Sequence, residues 1–191
     1  MKRELIFDFE TLSVSRHNCV VVNLATLEFD PGRFKSQPYQ FSELVEACTL
    51  IKFDIAEQKE DYFRVVDTDT LAWWQTLPRE VQRQLLPSDK DVSIRELPNL
   101  VKDNDYGNVW SRGNTFDPII LDYLCDDICI PHIFPFWKIR DTRSYIDGLL
   151  YGANVRNTFM PEGLDIEFIH HDPCHDIALD VMRMQTVTKH L

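Results

Sequence analysis

Two carboxylates, Asp8 and Glu10, close an apolar run in residues 4–13, ELIFDFETLS. Side chains alternate faces along a strand, so this spacing puts both acids on one side. Two carboxylates side by side near a core repel, and burying them is costly without a cation between them. An all-oxygen set of this kind suits Mg²⁺ or Mn²⁺. A solvated strand end carrying two acids is the plainer alternative. Asp117, in GNTFDPIILDYL, follows an apolar strand, a glycine turn and Phe116, and it opens a helical run. A carboxylate there can face the C-terminal edge of a sheet, where open α/β folds bind ligands. It can equally be a first-turn acid complementing a helix dipole. The third cluster is residues 170–176, HHDPCHD. His171 in a loop and Asp176 in the first turn of a helix can reach one point, and histidine titrates near neutrality, which suits a general base. A polar loop followed by a helix cap is the structural counterpart of that reading. His175 and Asp180 repeat the five-residue separation. His171 with Asp176 is preferred, because Asp180 lies a turn further inside the helix.

Around these acids stand groups able to hold an aromatic or anionic ligand. Trp73 and Trp74 are adjacent on a helix and point about 100° apart, so one can stack on a base while the other joins the core. Phe116 is a comparable stacking candidate. Asn114 and Arg112 can hold phosphate. Arg140 and Arg143 suit phosphate oxygens bidentately, or pair with Asp141 and Asp147 at the surface. Asp122 and Asp172 read as solvated acids.

The elements that must position these groups follow from patterning. Residues 4–8 predict a first strand and residues 18–29 a second, stopped by Asp30-Pro31-Gly32. Residues 33–42 read as a loop, and 44–55 as carrying a third strand centred on 47–53. Residues 56–67 are charged and poorly periodic. Asp67 then caps a helix containing Leu71, Trp73, Trp74 and Leu77. Pro78 opens a short helix in which Val81, Leu85 and Leu86 share a face. Residues 93–101 suggest a helix interrupted by Pro98, 108–111 a strand, and 115–125 a helix. Residues 128–137 suggest a short strand among loops, 141–151 a helix, 152–163 a loop, and a last helix runs from about 175 to 189. Strands first, then strands mixed with helices, predict an α/β mixed sheet flanked by helices.

With 191 residues and no composition break or linker, residues 1–191 read as a single domain. A net charge of −11 argues against broad non-specific binding to nucleic acid or anionic membrane. It does not exclude a nucleic-acid enzyme, because bound metal locally reverses the sign. No targeting peptide or membrane-spanning run is found, so a cytoplasmic protein is expected. Five scattered cysteines, an odd number, predict reduced thiols in preference to disulfides or a zinc site.

The ordered set FDFET, NTFD and HDPCHD resembles the DEDD superfamily of 3′→5′ exonucleases, in its histidine-base (DEDDh) branch. Between the third strand and the second motif, TDTLAWWQ is similar to an element of the compact group containing phage exonuclease A and its bacterial exoribonuclease relatives. The resemblance spans residues 5 to about 187. It implies a ribonuclease H-like fold. It implies Asp8, Glu10, Asp117 and Asp176 as ligands of two Mg²⁺ or Mn²⁺ ions, with His171 as general base, and release of nucleoside 5′-monophosphates from single-stranded DNA or RNA 3′ ends. It further implies that Thr11 and Leu12 meet the terminal nucleotide through a backbone contact and an apolar wedge. DNA is slightly favoured over RNA through the phage likeness, and a homodimer is possible by analogy. The runner-up is a nucleic-acid-binding module of the same fold that is inactive or depends on a partner.

Overall fold

The structure is a computed structural model and describes residues 2–189. The strands β1 (Glu4–Thr11), β2 (Val21–Phe29), β3 (Thr49–Lys52), β4 (Val109–Ser111) and β5 (Ile139–Asp141) form one sheet in the order β3-β2-β1-β4-β5. The first three are antiparallel, β2 and β3 being connected through α1 (Arg33–Ser36) and α2 (Phe41–Ala47). β4 and β5 run parallel to β1. Parallel neighbours bring the ends of β1, β4 and β5 to a common carboxyl edge, and the loops leaving that edge form the site.

Helices α1 (Arg33–Ser36), α2 (Phe41–Ala47), α3 (Ile55–Asp61), α4 (Thr68–Trp74), α5 (Arg79–Gln82) and α6 (Leu97–Leu100) precede β4. Then come α7 (Asp117–Asp127), α8 (Thr142–Leu149) and the long α9 (Pro173–Lys189). β1 divides the core by strict alternation. Leu5, Phe7 and Phe9 face α7, meeting Ile120, Leu121 and Leu124. Ile6 faces the other way, onto α9, where Ile177, Ala178, Val181 and Met182 pack with Phe34, Phe41 and Leu44. Each fully buried Phe or Leu contributes about 1.5–3 kcal/mol, so both faces of the strand are pinned. A third cluster, Leu12, Val20, Val22, Trp74, Leu77 and Val81, seats α4 and α5 beyond the end of β1.

Several expectations are corrected. The segment expected as a loop and strand over 33–55 is largely helical, with only Thr49–Lys52 in the sheet. Phe41 and Leu44 are three apart and both bury against α9, a helical spacing that outweighs the apolar run. β2 begins at Val21, because Cys19 bridges to Val65 instead. Residues 56–61 are not irregular: Asp54 accepts hydrogen bonds from the amides of Ala56 and Glu57 and so caps α3. Pro98 stands in the first turn of α6, where a missing N–H costs nothing, and does not kink a longer helix. No strand lies within 128–137. The chain makes a 3-10 turn, Phe136–Lys138, and pairs only afterwards as β5. Leu86 is exposed and does not share the buried face of Val81.

The cysteines are also corrected. Cys48, just past α2, is bonded to Cys174 in the first turn of α9, with Cα atoms 5.7 Å apart, a normal disulfide separation. Cys19, Cys125 and Cys129 are free. Among the described residues no helix is long and apolar enough to cross a membrane.

Candidate active site

The acids of β1 sit where its alternation places them. Asp8 and Glu10 share the face of Ile6, and both line a cleft of about 650 Å³ at the carboxyl edge. β4 pairs with β1 only at Leu5 and Ile6. The later amide of Phe9 therefore has no partner in β4, and it donates to the Asp117 carboxylate at 3.2 Å. This bond ties the start of α7 to β1 and brings Asp117, itself buried, into the same cleft. Gly113, at φ +126°, supplies the left-handed turn that swings the chain from β4 into α7. Asp172 accepts the amides of Cys174 and His175, capping α9, and fixes Asp176 in the first turn. Asp172 is thus a helix cap, not merely a solvated acid. Asp122 is half-buried, not simply solvated: burial raises its carboxyl, and it lies 3.4 Å from His132.

All four carboxylates line this one cleft, and burial is the first cause that raises each of them. Burial raises Asp8 well above the usual carboxylate range, and Asp117, Glu10 and Asp176 raise it further. Burial, then Asp176 and Asp117, push Glu10 up to about 8. Burial carries Asp117 to about 7 against the opposing Phe9 amide and Arg143. Asp176 also reaches about 7 through burial, Asp180 and Asp172. Neighbouring anions that hold one another's protons are the condition a divalent cation relieves. Among the described residues no three such side chains are closed onto a single ligating point. The donor set, four hard carboxylates facing one cleft, nevertheless fits Mg²⁺ or Mn²⁺ in its chemistry.

His171 stands at the rim of the cleft, at φ +61°, a conformation uncommon for a residue with a side chain. Its ring lies edge-to-face with Trp73 at 4.9 Å. Partial burial and His170 lower its pKa, favouring neutral imidazole. The shifted pairing is not supported by the geometry. His175 lies within α9, and its Nδ1 accepts the amide of Ile169. Asp180 accepts from Arg112 at 2.6 Å, Arg183 at 2.8 Å and Thr142 at 2.5 Å.

The ligand-contact candidates divide. Trp73 is 40% exposed and, with Thr11 and Phe116, lines a largely apolar cavity of about 440 Å³ that abuts Glu10. Trp74 is fully buried, its Nε1 donating to the Thr11 carbonyl, so it supports the strand end and does not reach the cleft. Leu12 is likewise corrected. Its side chain is core, its amide bonds Val20, and its carbonyl takes the amide of Asp67. Asn114 lies across the α7 turn from the acids, its amide held by Asp141. Arg143 lines the cleft and faces Asp117. Arg112 also lines it but is spent on Asp180 and Asn157. The Asp180–Arg183 pair was not singled out from the sequence, although its i,i+3 spacing on a helix was there to be read.

A family model described as the 3′-5′ exoribonuclease Rv2179c-like domain matches residues 3–187. The chain belongs to this family. With membership comes the class of activity, 3′→5′ exonucleolytic hydrolysis of nucleic acid. An exodeoxyribonuclease of Enterobacteria phage T4 is 32% identical over 205 residues, covering 95% of this chain and 87% of the phage protein. Among solved structures, apo exonuclease I superposes with a TM-score of 0.59 at 12% identity, over 98% of this chain and 42% of that one. Product-bound exonuclease I gives 0.60, over 99% and 44%. The zinc-bound E. coli exonuclease I complex with single-stranded DNA gives 0.56, over 98% and 40%. The chain thus spans about two-fifths of the exonuclease I chains. At these identities the likeness carries the fold, a ribonuclease H-like mixed sheet flanked by helices.

Proposed function

We propose that the chain removes nucleoside 5′-monophosphates from the 3′ end of single-stranded nucleic acid, with DNA preferred, using two Mg²⁺ or Mn²⁺ ions held by Asp8, Glu10, Asp117 and Asp176. The observation that carries this reading is that four carboxylates from β1, α7 and α9 line one cleft together with a histidine, each raised above the usual carboxylate range first by burial. Bound divalent cations supply charge neutralisation at the phosphodiester and acidify an attacking water. His171 takes the water's proton on its imidazole, and partial burial keeps that ring unprotonated and ready. Trp73, Phe116 and Thr11 hold the terminal nucleoside in the apolar cavity beside Glu10. Arg143 faces the cleft as the cation for a substrate phosphate.

The phage relative's name supports DNA, whereas the family description names RNA. The single-stranded DNA bound in the exonuclease I complex is a further support for a single strand as substrate. The experiment is digestion of matched, 5′-labelled DNA and RNA dodecamers with Mg²⁺ or Mn²⁺. One-nucleotide ladders and free monophosphates are expected, faster on DNA. Equal turnover by Asp8→Ala protein, or no turnover of either strand by wild type, removes the reading.

A further inference from the structure

The cleft accounts for the terminal nucleotide and the scissile phosphate, but not for a second aromatic surface beside it. Phe136 and Trp137, in the 3-10 turn before β5, are 84% and 64% exposed, with rings edge-to-face at 5.2 Å. Behind Phe136 is a cavity of about 230 Å³, also lined by Asn114, Pro118, Phe134 and Ile139. Gly113, Thr115, Phe116 and Asp117 line the acidic cleft, while Asn114 and Pro118 line this cavity. The two spaces are therefore opposite sides of one turn, and a ligand leaving the cleft over that turn arrives at Phe136.

Charge follows the same route. Arg143 stands in the cleft wall, and the Arg140 guanidinium folds back onto the carbonyls of Trp137 and Ile139. Among the described residues neither is ion-paired, whereas Arg112, Arg183 and Lys138 are held by Asp180 and Asp103. In a chain of net charge −11, two guanidiniums with no carboxylate partner among the described residues, near exposed rings, mark a local place for an anion. Rings that offer π-faces, alternating with cations that offer phosphate contacts, match a single-stranded nucleic acid. The turn is also preformed. The Lys138 amide bonds the Pro135 carbonyl, and Lys138 anchors to Asp103 at 2.8 Å.

We propose that Phe136 and Trp137, with Arg140, bind the nucleotides on the 5′ side of the scissile bond, so that the enzyme measures the length of its substrate at this surface. This rests on the proposed single-strand exonuclease reading, and the test separates the two. Wild type and the Phe136→Ala/Trp137→Ala double variant, both as the full chain, are compared on dT2 and dT12 with Mg²⁺. The variant's KM for dT12 should rise roughly ten-fold, while its KM for dT2 and both kcat values change less than about two-fold. Equal effects at both lengths, or none at either, overturn the proposal. Binding of 5′-fluorescein dT12 in EDTA decides the point without turnover. Roughly ten-fold weaker binding by the variant supports the strand surface even if neither oligonucleotide is cleaved. Unchanged binding overturns it, and unchanged binding with a dimer converted to monomer in light scattering assigns the rings to a second copy instead. Arg140→Gln should flatten the salt dependence of dT12 binding by roughly 0.7 in log–log slope, as one lost phosphate contact does on a single strand.

Discussion

Asp176 and Asp180 stand one turn apart on α9 and face opposite electrostatic worlds. Asp180 is 1% exposed and saturated by Arg112, Arg183 and Thr142, with the Arg183 guanidinium also donating to the carbonyls of Thr158 and Phe159. It fastens the 152–163 segment to α9. Asp176, nearer the cleft, meets Asp172 and Asp180, with Glu10 and Asp8 opposite it. Both carboxylates are withdrawn from solvent, Asp180 fully and Asp176 in part, so burial alone does not distinguish a structural acid from a functional one. The partners do: Asp180 is matched by two guanidiniums and a hydroxyl, whereas Asp176 is crowded by other anions, as the proposed metal site requires.

That contrast can be broken first at the unsatisfied end. Asp8→Asn should abolish nuclease turnover by on the order of 10³-fold while leaving the melting temperature of the metal-free protein unchanged or higher, since a repulsive neighbour is gone. A fall in melting temperature together with activity would make Asp8 structural. At the satisfied end, Asp180→Ala leaves the Arg112 and Arg183 guanidiniums without their shared carboxylate. A loss of about 3–5 kcal/mol in chemical denaturation is expected, and a near-neutral result would remove the distinction drawn here. The Cys48–Cys174 bond closes 126 residues onto the first turn of α9, next to Asp176. Reducing it, or making Cys48→Ser, should lower stability by about 2–4 kcal/mol. Native-state hydrogen exchange should show the loosening at residues 174–177 before 180–184.

The smallest effect is the pH dependence. Glu10, Asp117 and Asp176 have folded-state pKa values raised to about 8, 7 and 7, above their unfolded values. The native state then holds more protons than the unfolded state between roughly pH 4 and 8. Stability from these groups is present at low pH and is lost as pH rises through 7 to 8. The melting temperature of the metal-free protein should fall between pH 6 and 8.5, and saturating Mg²⁺ should flatten the curve. An unchanged slope with Mg²⁺ would mean that these carboxylates do not share a cation.

What could be read without coordinates was what local periodicity carries. The common face of Asp8 and Glu10 follows from strand alternation alone, and the division of labour between Trp73 and Trp74 follows from the angle between helix neighbours. The convergence of Asp117 and Asp176 on those acids was legible only through motif order, because the bonds that create it, such as Phe9 to Asp117, span more than a hundred residues. Helix α2 was misread because Phe41 and Leu44 acquire their face only from α9. The Cys48–Cys174 bond and the partners of Asp180 were invisible for the same reason. Leu12 was misassigned because an exposed wedge and a core leucine look alike until Val20 and Trp74 close over it.

The alternation of β1 also sets which length changes this chain can tolerate. Removing or adding one residue between Leu5 and Asp8 reverses the parity of everything after it. Asp8 and Glu10 would turn into the apolar packing under α7, and Phe7 and Phe9 would be delivered to the cleft. A two-residue change keeps the parity and slides the acids along the strand by about 7 Å, past the reach of Asp117. Substitutions in β1 can be graded, whereas insertions and deletions there are all-or-none.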